Sequence, residues 1–147
     1  MSFVEKFQTM KDMGDYSGVT EAIPYADFLN ISIREEGDGL ITTMAFKEEL
    51  IGNTRLPALH GGTLAALLEM AALLQLAYEL EPEEMPKVIT LTIDYMRSGK
   101  AQDTQARAIV SRLGRRVANV RAEAWQDNPN KPVAAANLNF LLAGDDS

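Results

Sequence analysis

The stretch from Gly61 to Leu80 constrains this chain more than any other, because it is apolar on nearly every side. His60-Gly61-Gly62 opens it and Pro82 lies just beyond its end, which predicts a helix of about five turns. Alanines at 65, 66, 71, 72 and 77 let neighbours come close. A helix without a polar face has to be wrapped by other structure. The most apolar part, Thr63 to Tyr78, is shorter than a membrane span and holds Glu69 and Gln75, so it reads as a buried core helix.

The remaining segments read mostly as strands. Ile31 and Ile33 alternate before a turn at Gly37-Asp38-Gly39, and Leu40, Thr42, Met44 and Phe46 share a face after it, which predicts a hairpin over 30–46. Beyond the helix, Ile89, Leu91, Ile93 and Tyr95 alternate with Thr90, Thr92 and Asp94. Thr104 to Arg112 is the next strand, turning at Leu113-Gly114. Ala118, Val120, Ala122 and Ala124 then share a face, and after a loop at Asp127 to Lys131 so do Ala134, Ala136, Leu138, Phe140 and Leu142. Phe3 to Met10 carries a short helical stripe, while Gly14 to Pro24 and Gly52 to Leu59 read as loops. One hairpin, one apolar helix and a run of meandering strands imply an α+β hotdog fold, an antiparallel sheet curled around a single helix. No repeat or linker divides the chain. Residues 1–147 are expected to form one domain, with an N-terminal helix and loop over 1–24 and the core over 25–143.

Composition narrows the function classes. The 147 residues suffice for a real core, and 46% are hydrophobic, as in an ordinary globular protein. With 21 acidic and 14 basic side chains the net charge is −7, which counts against general nucleic-acid binding but leaves room for a local basic pocket. No cysteine is present, so disulfides, thiolate metal sites and Cys nucleophiles are excluded. A single His argues against a His-rich metal site, and no metal is expected. The N-terminus, MSFVEKFQTMKDM, is amphipathic and of mixed charge, unlike a signal peptide. The expected location is the cytoplasm, with no membrane partner.

Four features bear on chemistry. The first amides of a helix lack internal partners, and glycine lets a ligand approach them closely, so His60-Gly61-Gly62 is suited to polarise a carbonyl and hold an oxyanion. The other reading is a glycine turn with His60 as an ordinary cap. Glu69 sits among Leu67, Leu68, Met70, Ala71 and Ala72, where a carboxylate is costly unless paired or put to use. It is either a general base or nucleophile, or half of an ion pair with Arg55 or Arg97. The polar loop Gly52-Asn53-Thr54-Arg55 precedes the helix. Arg97, Arg115 and Arg116 stand at strand ends, as a phosphate patch or as solvated surface charge. Glu69 lies nine residues after His60, roughly 13 Å along a helix axis, so one subunit cannot bring it to a carbonyl held at Gly61. A functional pairing requires a second subunit packed antiparallel, with two composite sites per dimer.

The segment LIGNTRLPALHGGTLAALLEMAALLQLAYEL resembles the PaaI-like hotdog acyl-CoA thioesterases, in which His-Gly-Gly opens the central helix and an acid follows nine residues after the His. VITLTIDYMRSG is similar to the family strand after the helix, and SRLGRRVANVRAEAW to its next hairpin; the resemblance covers roughly Ile23 to Leu142. It implies hydrolysis of acyl-CoA, with no cofactor beyond the CoA of the substrate. It further implies a homodimer, often a dimer of dimers, with sites at the interface. There the Gly61 amide polarises the thioester, His60 orients the substrate or supports that amide, and Glu69 of the partner subunit is nucleophile or general base. Gly62, Asn53 and Thr54 are the positioning residues, and Arg97, Arg115 and Arg116 hold the CoA phosphates. The chain departs from the family in three places: Thr54 stands where many members have Asn or Gln, Leu73 where some have Ser or Thr, and Ser98 where Pro is common. Thr54 and Leu73 are the support for an alternative, an acyl-CoA-binding or regulatory protein without turnover; a hotdog dehydratase or hydratase ranks lower, since its His and acid usually stand at other spacings. Apolar helix residues near the acid imply an apolar acyl or aryl tail.

Overall fold

The computed structural model describes residues 1–142. Three helices come first: α1 (Phe3–Met13), α2 (Val19–Ala22) and α3 (Pro24–Phe28). A hairpin of β1 (Ile31–Glu36) and β2 (Gly39–Met44) follows, then a small ribbon of β3 (Ile51–Asn53) and β4 (Ala58–Leu59). After the central helix α4 (Gly61–Leu80) come β5 (Lys87–Tyr95), β6 (Thr104–Leu113), β7 (Val117–Trp125) and β8 (Ala134–Leu141). Apart from the ribbon, the strands form one antiparallel sheet in the order β1-β2-β6-β7-β8-β5, and α4 packs mainly on β6, β2 and β7. The expected hotdog arrangement is the one that forms.

Alanine explains how the sheet closes on the helix. The inward positions include Ala106, Ala118, Ala122, Ala124, Ala134 and Ala136, all essentially inaccessible. Small side chains there let Leu64, Leu67, Leu68, Leu74 and Leu76 sink out of water, each burial contributing about 1.5–3 kcal/mol. By length and composition alone α4 is long and apolar enough to cross a membrane, contrary to the sequence expectation, yet more than half of it is buried inside the fold.

Polar contacts pin the C-terminal part of the helix. Gln75 is buried; its Oε1 accepts from the Leu40 N–H at 2.8 Å and its Nε2 donates to Glu79 at 2.8 Å. Gly39 is tight against it, since an added Cβ would stand 3.1 Å from Gln75 Oε1. Helix α1 begins at Ser2, whose hydroxyl accepts from the Glu5 N–H, and ends at Gly14 in the left-handed region (φ 66°). Its Lys11 Nζ donates to the Tyr78 carbonyl at 2.7 Å and to Glu81 at 2.8 Å, satisfying an end carbonyl of α4. Buried Tyr16 donates to Glu35 at 2.7 Å, and burial, with that carboxylate second, pushes its phenol well above the ordinary tyrosine range.

Two sequence expectations need amending, and a third pattern has its surroundings settled only by the fold. Residues 14–24 are not simply a loop: α2 forms there and Pro24 begins α3, where its missing N–H costs nothing at a first helical position. Residues 52–59 include parts of the β3–β4 ribbon. The alternation in β5 is real, but its apolar residues are not buried: Ile89 is 52% exposed and Tyr95 53%, because β5 is a sheet edge that α4 barely reaches. The expected end of the core at residue 143 lies outside the described residues.

Candidate active site

The start of α4 is held from two sides. The His60 N–H donates to the Leu50 carbonyl at 2.8 Å, and the Leu59 N–H to the Gly99 carbonyl at 2.9 Å. Strand β3 presses so closely that a Cβ on Gly52 would lie 2.6 Å from His60 Cα, which is why glycine is required there. His60 is the N-cap, with extended backbone (φ −65°, ψ 130°). Its Nδ1 accepts from the Gly62 N–H at 2.8 Å, and its carbonyl accepts from the Thr63 N–H at 3.0 Å and the Thr63 hydroxyl at 2.6 Å. An accepting Nδ1 carries no hydrogen, so in the neutral ring Nε2 is the donor.

That arrangement leaves one amide over. The Gly61 N–H has no acceptor among the described residues. Gly61 lines a cleft of about 340 Å³ together with Leu59, Leu64, Tyr95, Met96 and Arg97, among others. Tyr95 was missed by sequence reasoning as a site residue; its hydroxyl donates to the Gly61 carbonyl at 2.8 Å, and its ring stands 3.1 Å from where a Gly61 Cβ would be. The only hint in the sequence is that Tyr95 shares a strand face with Leu91 and Ile93 while carrying a polar tip.

Glu69 is two turns along. Within the span 62–77, the residues of α4 left partly or fully uncovered are Gly62, Ala65, Ala66, Glu69 and Leu73, which share one helix face. Glu69 is half-buried and has neither hydrogen bond nor ion pair among the described residues, so the structural pairing with Arg55 or Arg97 does not form within the chain. Eight residues of helix separate it from Gly61, about 12 Å along the axis, and it does not line the Gly61 cleft.

The other candidates are dispersed. Asn53 and Thr54 are exposed at the turn of the β3–β4 ribbon, and Asn53 Oδ1 accepts from the Arg55 and Leu56 N–H groups at 2.9 and 3.4 Å, leaving its Nδ2 as the group open to a ligand. Arg97 borders both the Gly61 cleft and a hollow of about 170 Å³ that also includes Lys100 and Lys131. Arg115 and Arg116 are in the β6–β7 turn, where the Arg116 carbonyl accepts from the Leu142 N–H at 2.7 Å. The Arg97 amide instead faces Val133, beyond the opposite end of β8 and nine residues from Leu142, roughly 30 Å away by strand rise. One chain does not bring all three arginines together. Among the described residues no group of three or more His, Asp or Glu is arranged to hold a metal ion.

Known structures share this architecture. A protein from Chromobacterium violaceum is 34% identical, with 96% of this chain and 98% of that one covered and a TM-score of 0.79. A phenylacetic acid degradation-related protein from Ralstonia eutropha is 24% identical, covering 92% of this chain and 98% of its own, with a TM-score of 0.77. A Bacillus halodurans protein crystallised with CoA is 19% identical over 96% of this chain and 93% of that one, with a TM-score of 0.73. No curated protein sequence matches. The family model of the thioesterase superfamily matches residues 56–133, which hold the Gly61 amide, Glu69 and Tyr95 alike, and the chain belongs to that superfamily.

Proposed function

We propose that this protein hydrolyses acyl-CoA thioesters, as the PaaI-like enzymes do, at two equivalent sites in the interface of a homodimer. The observation that carries the reading is the pairing of an unused Gly61 amide at a helix N-terminus with an unpartnered, half-buried Glu69 on the uncovered face of the same helix. Each is incomplete within one chain. A second copy supplies the complement if its α4 lies antiparallel along the Ala65–Ala66–Glu69–Leu73 face, where the alanines permit close approach. Joining the two β5 edges would place the helices in that way and cover the exposed Val88, Ile89 and Leu91. The same symmetry sets the Tyr95 end of one β5 beside the Lys87 end of the other, so Arg115 and Arg116 of the partner subunit come to the end that Arg97 occupies.

In such a site the thioester oxygen accepts from the Gly61 N–H, and the partial positive charge of the helix terminus favours the developing oxyanion. Glu69 of the partner subunit takes a proton from water as the water oxygen bonds to the carbonyl carbon, or attacks that carbon itself to give an anhydride that water then opens. Either way the C–S bond breaks, its electrons leave with sulfur, and the products are the carboxylic acid and CoA. The CoA in the Bacillus halodurans structure and the superfamily membership support a CoA thioester as the ligand. A binding protein without turnover is the second reading, favoured by the Asn53 oxygen, which already holds the turn.

The test is release of free thiol from a panel of acyl-CoAs, aliphatic and aryl, by the wild-type protein and by Glu69→Gln. Turnover of at least one substrate is expected, falling by about a hundredfold or more in the variant while the fold is kept. A Glu69→Gln protein that works at near wild-type rate removes Glu69 from the chemistry; no thiol release from any substrate returns the protein to the binding reading.

A further inference from the structure

We infer that Tyr95 is a positioning residue that sets the tautomer and aim of His60 through a single polarised peptide. The inference rests on the proposed site and adds to it a residue that no part of that reading required. Three bonds make the argument. The Tyr95 hydroxyl donates to the Gly61 carbonyl at 2.8 Å. That carbonyl belongs to the same peptide unit as the Gly62 N–H, which donates to His60 Nδ1 at 2.8 Å. Because an α-helix already gives the Gly61 carbonyl a donor four residues on, the tyrosine is a second donor there, and it draws electron density from the peptide nitrogen. A chain of hydrogen bonds polarised in one sense strengthens each member, by perhaps 10–30% per bond.

The consequence is at the far side of the imidazole. A stronger Gly62 N–H···Nδ1 bond holds Nδ1 as acceptor and therefore keeps the hydrogen on Nε2, directed away from the helix. The Nε2–H then belongs to the residue next to the unused Gly61 N–H, and fixing the tautomer fixes which donor that residue has to offer. The steric evidence agrees. A Cβ on Gly61 would meet the Tyr95 ring at 3.1 Å, so glycine at 61 keeps the hydroxyl within reach of the carbonyl as well as opening the amide. Tyr95 itself donates no bond toward the cleft that the mechanism uses; it acts through the peptide and the histidine.

Tyr95→Phe tests this, since it keeps the ring and removes the donor. His60 is the single histidine of the 147 residues, so its two ring nitrogens are the only imidazole signals in a ¹⁵N spectrum of this chain. Wild-type protein, at a pH where the ring is neutral, should show a pyridine-like Nδ1 and a pyrrole-like Nε2. The variant should move both signals toward a mixture of tautomers. On the best acyl-CoA, kcat should fall about fivefold to tenfold with KM within about twofold, as expected for a hydrogen bond that matters most in the transition state. Gly61→Ala, which keeps the amide but pushes on the tyrosine ring, should shift the same nitrogen signals, and adding Tyr95→Phe to it should shift them little further. Unchanged tautomer signals in Tyr95→Phe would overturn the inference, as would shifted signals with unaltered kcat. If wild-type protein hydrolyses no thioester, the proposed function fails alone, and the nitrogen spectra still decide whether Tyr95 governs His60.

Discussion

Within one chain, Gly61 and Glu69 are about 12 Å apart along a rigid helix, whereas a group attacking a carbonyl bound at Gly61 must come within roughly 3–3.5 Å of it. No side-chain rotation closes that gap, so the sites are expected to be shared, and subunit mixing measures the sharing directly. Gly61→Val puts a branched side chain where even a Cβ would stand 3.1 Å from the Tyr95 ring, which blocks the amide. Glu69→Gln removes the proposed base or nucleophile. In a heterodimer of the two variants, one site combines the intact Gly61 of one subunit with the intact Glu69 of the other, and the second site carries both lesions. Random assortment from equal amounts makes roughly half of the dimers mixed, each with one of two sites working, so the mixture should recover about a quarter of wild-type activity per subunit. The single variants alone should stand near or below about one-hundredth. The assay is thiol release after co-expression of differently tagged subunits, with heterodimers verified by native mass spectrometry. Verified heterodimers no more active than the two parents would refute the reasoning from helix length, whatever the chemistry of Glu69.

Two further predictions follow from the surroundings of the site. Arg97→Ala, Arg115→Ala and Arg116→Ala should each raise KM for CoA thioesters about tenfold with kcat little changed, because charge-assisted contacts to phosphate form equally in ground and transition states; the effect should shrink on an acyl pantetheine, and equal small effects on both substrates would return these arginines to the surface. Gly52→Ala would set a methyl 2.6 Å from His60 Cα and 2.8 Å from its Cβ, a backbone contact that cannot be relieved by rotating a side chain. The expected loss is about 1–3 kcal/mol, or roughly 3–10 °C in Tm by thermal melt, and an unaltered Tm would show that the β3 strand yields freely.

Much of the fold is a local matter, and the sequence by itself determined it. The helix over 61–80 follows from its His-Gly-Gly start, its composition and Pro82, and its lack of a polar face requires a wrapping sheet. The strands over 31–44 and 87–141 announce themselves by alternation, and alternation also says which residues share a face. Elements too short to show a period escaped: α2 has 4 residues, and β4 has 2. What alternation never states is what lies across from a face. The apolar side of β5 has the same signature whether it is buried or left at a sheet edge, and only the strand order, with β5 last, made it an open edge. Glu69 was singled out by its apolar neighbours, but that no arginine reaches it depended on where Arg55 and Arg97 fell after folding. The bond from Tyr95 to Gly61 joins positions 34 residues apart, and Gly52 meets His60 across a ribbon turn. Such contacts are set by register and packing between elements, whose energies depend on distances that no stretch of the chain encodes alone; the tertiary structure decided them.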